Sequence, residues 1–216
     1  MSFGIILVHG YTGLADDLHY LQMALVNKYG KEAITNLNLP GHNEFDPPDF
    51  DQEAFILAIA QNIEHHRNQN RAIILIGHST GGTLILAYLA EHLHFPHLLI
   101  LAGTPKKIDV RSLERWNRHR EGRKVVPFYS LAKMVSLVNA MGSRSFTGSF
   151  PVHIIQGTED SLVMSREAFL WQENSFQGPT SLTLIPGADH ALFQGPQRDR
   201  VIEKVLSLIK DAHPED

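Results

Sequence analysis

Short apolar runs alternate along the chain with longer segments in which apolar residues recur at helical spacing, the pattern of βαβ units that build a mostly parallel sheet. Gly4 to Val8 reads as a buried strand, and Asp17 to Tyr29 as a helix with Leu18, Leu21, Leu25 and Val26 on one side. Ala33 to Leu39 is the next strand, closed by Pro40-Gly41. Asp46-Pro47-Pro48 then delays a helix in which Phe55, Ile59 and Ile63 recur at i, i+4 and i+8, running to about Asn68. Ala72 to Ile76 is a third strand, Gly81 to Leu93 a helix, and Leu98 to Ala102 a fourth strand. The alternation breaks between Thr104 and Phe150, where two helical stretches replace it; the second carries an apolar stripe of Leu131, Met134, Val135, Val138 and Met141. It resumes with the strand Val152 to Gln156, a helix near Ser165 to Ser175 and the strand Ser181 to Ile185. A last helix places Val201, Val205 and Leu208 on one face, with Pro196 suited to its first turn. The expected architecture is α/β: a mostly parallel sheet of about six strands flanked by helices, with a short helical cap inserted at about 105–150.

Composition narrows the class. A chain of 216 residues, 43% hydrophobic and 19% charged, suits one folded domain spanning 1–216. With no cysteine there is no disulfide framework, thiolate metal site or cysteine nucleophile. The first residues lack a basic n-region, and no window approaches the ~20 apolar residues of a membrane span, so a cytoplasmic location is the expectation. A net charge of -4 gives no overall reason to expect a nucleic-acid partner.

The strand at Ala72 to Ile76 runs directly into Gly77-His78-Ser79-Thr80-Gly81 and then into a helix, the context that a G-x-S-x-G turn requires. Such a turn is sharp enough to strain the serine backbone, and its glycines let strand and helix pass close together. Ser79 would project above the sheet as a nucleophile; a plain strand-to-helix turn is the alternative. A serine hydroxyl needs a base within hydrogen-bond reach, itself oriented by a third group. In sites of this type the chain order is serine, acid, histidine. Gly157-Thr158-Glu159-Asp160 follows one strand and offers Asp160 as the acid, while Pro186-Gly187-Ala188-Asp189-His190 follows the last and offers His190 as the base. Glu159 and Asp189 compete for the acid role, as does Asp109 after an earlier strand. Of the 13 histidines, His190 alone stands in this context.

Acyl transfer also needs donors aimed at the developing oxyanion. The backbone N–H of Thr80 is one. A second is the backbone N–H of Tyr11 in the loop His9-Gly10-Tyr11-Thr12-Gly13, which His9 braces; the Tyr11 side chain either lines the acyl pocket or stands exposed at the loop tip. Met134, Val138 and Met141 are candidates to line a substrate pocket, although such a stripe is more often core packing. No metal-ligand set and no Gly-rich phosphate loop is present, so no cofactor is implied.

Taken together these residues resemble the α/β-hydrolase superfamily over nearly the whole chain. His9-Gly10-Tyr11-Thr12-Gly13, Leu39-Pro40-Gly41-His42 and Gly77-His78-Ser79-Thr80-Gly81-Gly82 are similar to the corresponding motifs of small bacterial carboxylesterases and monoacylglycerol lipases. The resemblance implies an α/β-hydrolase fold and a serine esterase acting on a small-molecule ester, with a thioesterase or a C–C bond hydrolase or lyase as alternatives on the same triad. A non-catalytic ligand sensor on the same fold is the competing class. Family members often carry two more strands before the His-Gly loop, so a six-strand core is expected here. The resemblance also makes the 105–150 insertion a lid over the site. That segment holds ten basic and three acidic residues, a net +7, leaving -11 for the rest, which has nine basic and twenty acidic. Such a lid, with Arg118, Arg120 and Arg123 in it, draws anionic esters or thioesters or rests on an anionic membrane surface; otherwise it is a solvated helix face held to an acidic body.

Overall fold

The computed structural model describes residues 2–43, 49–92, 95–109 and 126–212. Six strands form one sheet: β1 (Phe3–Val8), β2 (Ile34–Leu37), β3 (Ala72–His78), β4 (Leu98–Ala102), β5 (Val152–Gly157) and β6 (Thr180–Ile185). Their order is β2-β1-β3-β4-β5-β6, and every neighbouring pair is parallel. β1 and β4 are buried along their whole length, which explains their nearly unbroken Ile, Leu and Val. The edge strands β2 and β6 are less buried and carry Thr35, Asn36, Thr180, Ser181 and Thr183. Because all six strands run the same way, their C-terminal ends emerge together at one end of the sheet.

Side chains alternate across the sheet, so successive residues of one strand enter opposite layers. Ile6, Val8, Ile73 and Leu75 face a layer built from α2 (Gln52–Arg67), α3 (Thr80–Glu91), α4 (Phe128–Gly142) and α5 (Ser165–Asn174), through Phe55, Ile59, Ile85, Tyr88, Met134 and Trp171. Ile5, Leu7, Ile74 and Ile76 face the other, built from α1 (His19–Tyr29) and α6 (Arg198–Asp211) through Leu21, Leu25, Val201, Val205 and Ile209. This is the expected six-stranded α/β-hydrolase architecture.

Several boundaries differ from the expectation for local reasons. The first helix begins as a 3₁₀ turn at Ala15–Leu18. β2 stops at Leu37 because Leu39 turns out of the sheet, donating its N–H to His9 Nε2 at 3.1 Å and burying its side chain. Pro196 precedes the N-cap Gln197 of α6 and so stands outside the first turn. α2 starts where Asp51 caps it, accepting the Ala54 N–H at 3.0 Å.

In the 105–150 segment, α4 carries the second apolar stripe, while the first helical stretch, with Arg118, Arg120 and Arg123, lies outside the described residues. The root of the segment is tied to the body. Glu167 accepts the N–H groups of Lys106 and Lys107, and Asn139 of α4 exchanges hydrogen bonds with both backbone groups of Ile108. Among the described residues no helix is long and apolar enough to cross a membrane.

Candidate active site

β3 ends at His78, and α3 begins at Thr80, leaving Ser79 alone to make the turn. Its φ of 54° lies in the left-handed region, which costs a non-glycine residue about 1–3 kcal/mol. The crossing is tight enough to require glycine: a Cβ on Gly81 would collide with the Val8 carbonyl, and one on Gly77 with the Gly82 backbone. The turn is held from below by the Ser79 N–H, which donates to the Ala102 carbonyl at 2.8 Å.

Three expected side chains meet above this turn. Ser79 Oγ lies 3.0 Å from His190 Nε2, and His190 Nδ1 lies 2.8 Å from Asp160 Oδ2. Asp160 comes from the loop after β5 and His190 from the loop after β6, so three separate strand ends supply the group. The Asp160 carboxylate is fully buried, whereas the His190 side chain keeps 19% of its surface. Asp160 Oδ1 accepts the N–H groups of Leu162 and Val163 at 2.9 and 2.8 Å, and Oδ2 also accepts from Gln156 Nε2 at 3.1 Å. Burial alone would raise the Asp160 pKa. The His190 hydrogen bond and charge, together with the two N–H donors, outweigh it and hold the carboxyl below its ordinary value. The competing acids stand elsewhere: Glu159, Asp189 and Asp109 are exposed, and Asp189 accepts from the Ala191 N–H.

The loop after β1 runs against the nucleophile. A Cβ on Gly10 would stand 3.1 Å from Ser79 Cβ and 3.5 Å from Ser79 Oγ. The Tyr11 N–H donates to Thr80 Oγ1 at 2.5 Å, so the two expected oxyanion residues are bonded to each other. His9 braces the loop as a neutral ring: Nε2 accepts from Leu39, and Nδ1–H donates to the Gly10 carbonyl at 2.9 Å. Burial lowers its pKa, opposed by that carbonyl. The Tyr11 ring is 5% exposed and packs edge-on against Phe50, so exposure at the loop tip drops out.

Two supporting residues escape sequence reasoning. Gln156 is a polar residue at the end of an otherwise apolar strand, a signal that was available. His78 donates Nε2–H to the main-chain carbonyl of His190 at 2.9 Å, fixing the loop that carries that imidazole. Burial and the neighbouring His190 charge push the His78 pKa down to about 4. The candidate pocket residues divide. Met134 and Val138 are buried in the layer shared with α3, while Met141 reaches a cleft of about 690 Å³ between the start of α2 and α4, which Asp49, Phe50, Asp51 and Lys133 also line. Among the described residues no group of three or more His, Asp or Glu side chains could hold a metal ion.

Solved structures share this fold at low sequence identity. A metagenome-derived lipolytic enzyme superposes with a TM-score of 0.76 at 14% identity, over 97% of this chain and 94% of its own. A thermophilic esterase from Thermogutta terrifontis gives 0.69 at 18%, over 99% and 91%. A thioesterase from the prodiginine biosynthetic pathway of Streptomyces coelicolor gives 0.67 at 17%, over 95% and 89%. No curated protein matches the sequence. The model of the alpha/beta hydrolase family matches residues 5–204, nearly the whole of the chain, and the protein belongs to that family.

Proposed function

We propose that the protein is a carboxylic ester hydrolase working through an acyl-enzyme on Ser79. The observation that carries this reading is the unbroken line from Ser79 Oγ through the His190 ring to the buried, ionised Asp160. His190 Nε2 takes the Ser79 proton as Oγ attacks the ester carbonyl carbon. Asp160 stabilises the imidazolium and holds Nδ1 protonated. The oxyanion settles against the bonded Tyr11–Thr80 pair, with the Thr80 backbone N–H as a donor, and His190 returns the proton to the departing alcohol. Water, deprotonated by the same nitrogen, then attacks the acyl carbon; the Oγ–acyl bond breaks, Ser79 Oγ takes that proton back and the carboxylic acid is released.

A fluorophosphonate probe tests the proposal. Stoichiometric labelling of folded protein, abolished in Ser79→Ala, is expected; unlabelled folded protein overturns the enzyme reading. The net +7 of the 105–150 segment favours a second reading, an anionic substrate such as an acyl-CoA thioester, on the same triad. p-Nitrophenyl esters of increasing chain length, run beside acyl-CoA thioesters, separate the two by kcat/KM.

A further inference from the structure

The bond between Tyr11 and Thr80 changes which group faces the substrate. We infer that the Thr80 hydroxyl is itself a donor to the oxyanion, standing between the Tyr11 N–H and the reacting oxygen. This rests on the proposed role of Ser79. A hydroxyl has one proton and two lone pairs. The Tyr11 N–H occupies one lone pair at 2.5 Å, shorter than most N–H···O bonds. Among the described residues, nothing accepts the proton of the Thr80 hydroxyl, although the residue is 2% exposed. A buried hydroxyl without an acceptor is costly, and a substrate oxygen arriving beside it removes that cost.

Position supplies the rest. Thr80 follows Ser79 directly, and Tyr11 follows Gly10, whose backbone runs against Ser79 Oγ. The two residues therefore meet next to the atom that attacks. The N–H of Tyr11 polarises the hydroxyl it donates to, and an O–H bond to an oxyanion is shorter and stronger than one to a neutral carbonyl. The gain thus grows as negative charge develops, the property that a transition-state donor needs. The Thr80 backbone N–H, at the first position of α3, remains as a second donor to the same oxygen.

The test compares Thr80→Val, which keeps the shape and removes the hydroxyl, with Thr80→Ser, which keeps the hydroxyl. Loss of one oxyanion donor costs about 10²–10³-fold in kcat. Thr80→Val is expected to lose about 10²-fold in kcat on a p-nitrophenyl ester with KM changed less than about threefold, and to bind a trifluoromethyl ketone, which forms the tetrahedral adduct, more weakly in parallel. Thr80→Ser is expected to keep most of the activity. Should Thr80→Val fold poorly, Thr80→Ala replaces it, with circular dichroism and Tm as the check on folding. An unchanged or raised kcat in a folded hydroxyl-free variant overturns the inference, because the hydroxyl would then merely occupy the Tyr11 N–H. A loss confined to KM overturns it too. Failure of the wild type to label at Ser79 is the distinct result that removes the underlying reading.

Discussion

Asp160 shows how one carboxylate can be read atom by atom. Its Oδ1 is held by two backbone N–H groups, so in Asp160→Asn the amide oxygen must take that place and turn the NH₂ toward His190 Nδ1. An NH₂ there donates to Nδ1 and leaves the ring proton on Nε2, where it can no longer accept the Ser79 proton. The expected result is a fall in kcat on the order of 10⁴-fold with Tm close to wild type. A fall below about tenfold would place the acid elsewhere. Ser79, Asp160 and His190 are legible in the sequence because each stands at a fixed offset from a strand end, and strand ends are visible as apolar runs. The Thr80 hydroxyl bond is not legible: it depends on a rotamer and on a loop 69 residues away in the chain. Gln156 lies between these cases, since its polarity is visible but its partner is not.

At the scale of elements, periodicity finds all six strands, and the errors fall where a side chain outside the pattern decides. Leu39 reads as strand because it is apolar and extended in context, yet its N–H belongs to His9. The stripe on α4 shows the opposite ambiguity, since an apolar face can pack on a body or line a groove. Met134 is fully buried among residues of the layer that includes α3. Met134→Ala is therefore expected to destabilise the fold by about 2–5 kcal/mol in urea unfolding, through lost burial and the cavity left behind. Fluorophosphonate labelling of Ser79 and the order of preference among ester chain lengths are expected to stay as in wild type. Undiminished stability with an altered chain-length preference would make Met134 a wall of the acyl groove instead.

For the molecule as a whole, a net charge of -4 with His neutral conceals a store of acid sensitivity in its 13 histidines. His42, His66, His78 and His153 have pKa values near 4 in the folded chain, in each case first through burial and then through a neighbouring cation or ring: His9 beside His42, Arg71 and His65 beside His66, His190 beside His78, and Lys204 beside His153. His42 shows the physical reason plainly. Nδ1–H donates to the Pro40 carbonyl, and among the described residues the buried Nε2 has no partner, so a proton added there would go unpaired. Unfolding returns each ring to about 6.5, so between pH 6.5 and 4 the unfolded chain binds more protons than the folded one. Stability is then complete above about pH 6.5 and falls as the pH drops through that window. The Asp160 pKa is lowered too, so its contribution also falls with pH, but it disappears only at more acid pH, as the carboxyl is protonated. Urea unfolding at pH 7 and pH 5 therefore reads the histidines, at about 1 kcal/mol each once solvent screening is allowed for. His153→Gln keeps a side chain able to bond Ser181 and Thr183 but cannot titrate, and it is expected to remove about 1 kcal/mol of the loss between those two pH values. An unchanged loss in that variant would mean that His153 is protonated as readily folded as unfolded, and that the acid sensitivity is set elsewhere in the chain.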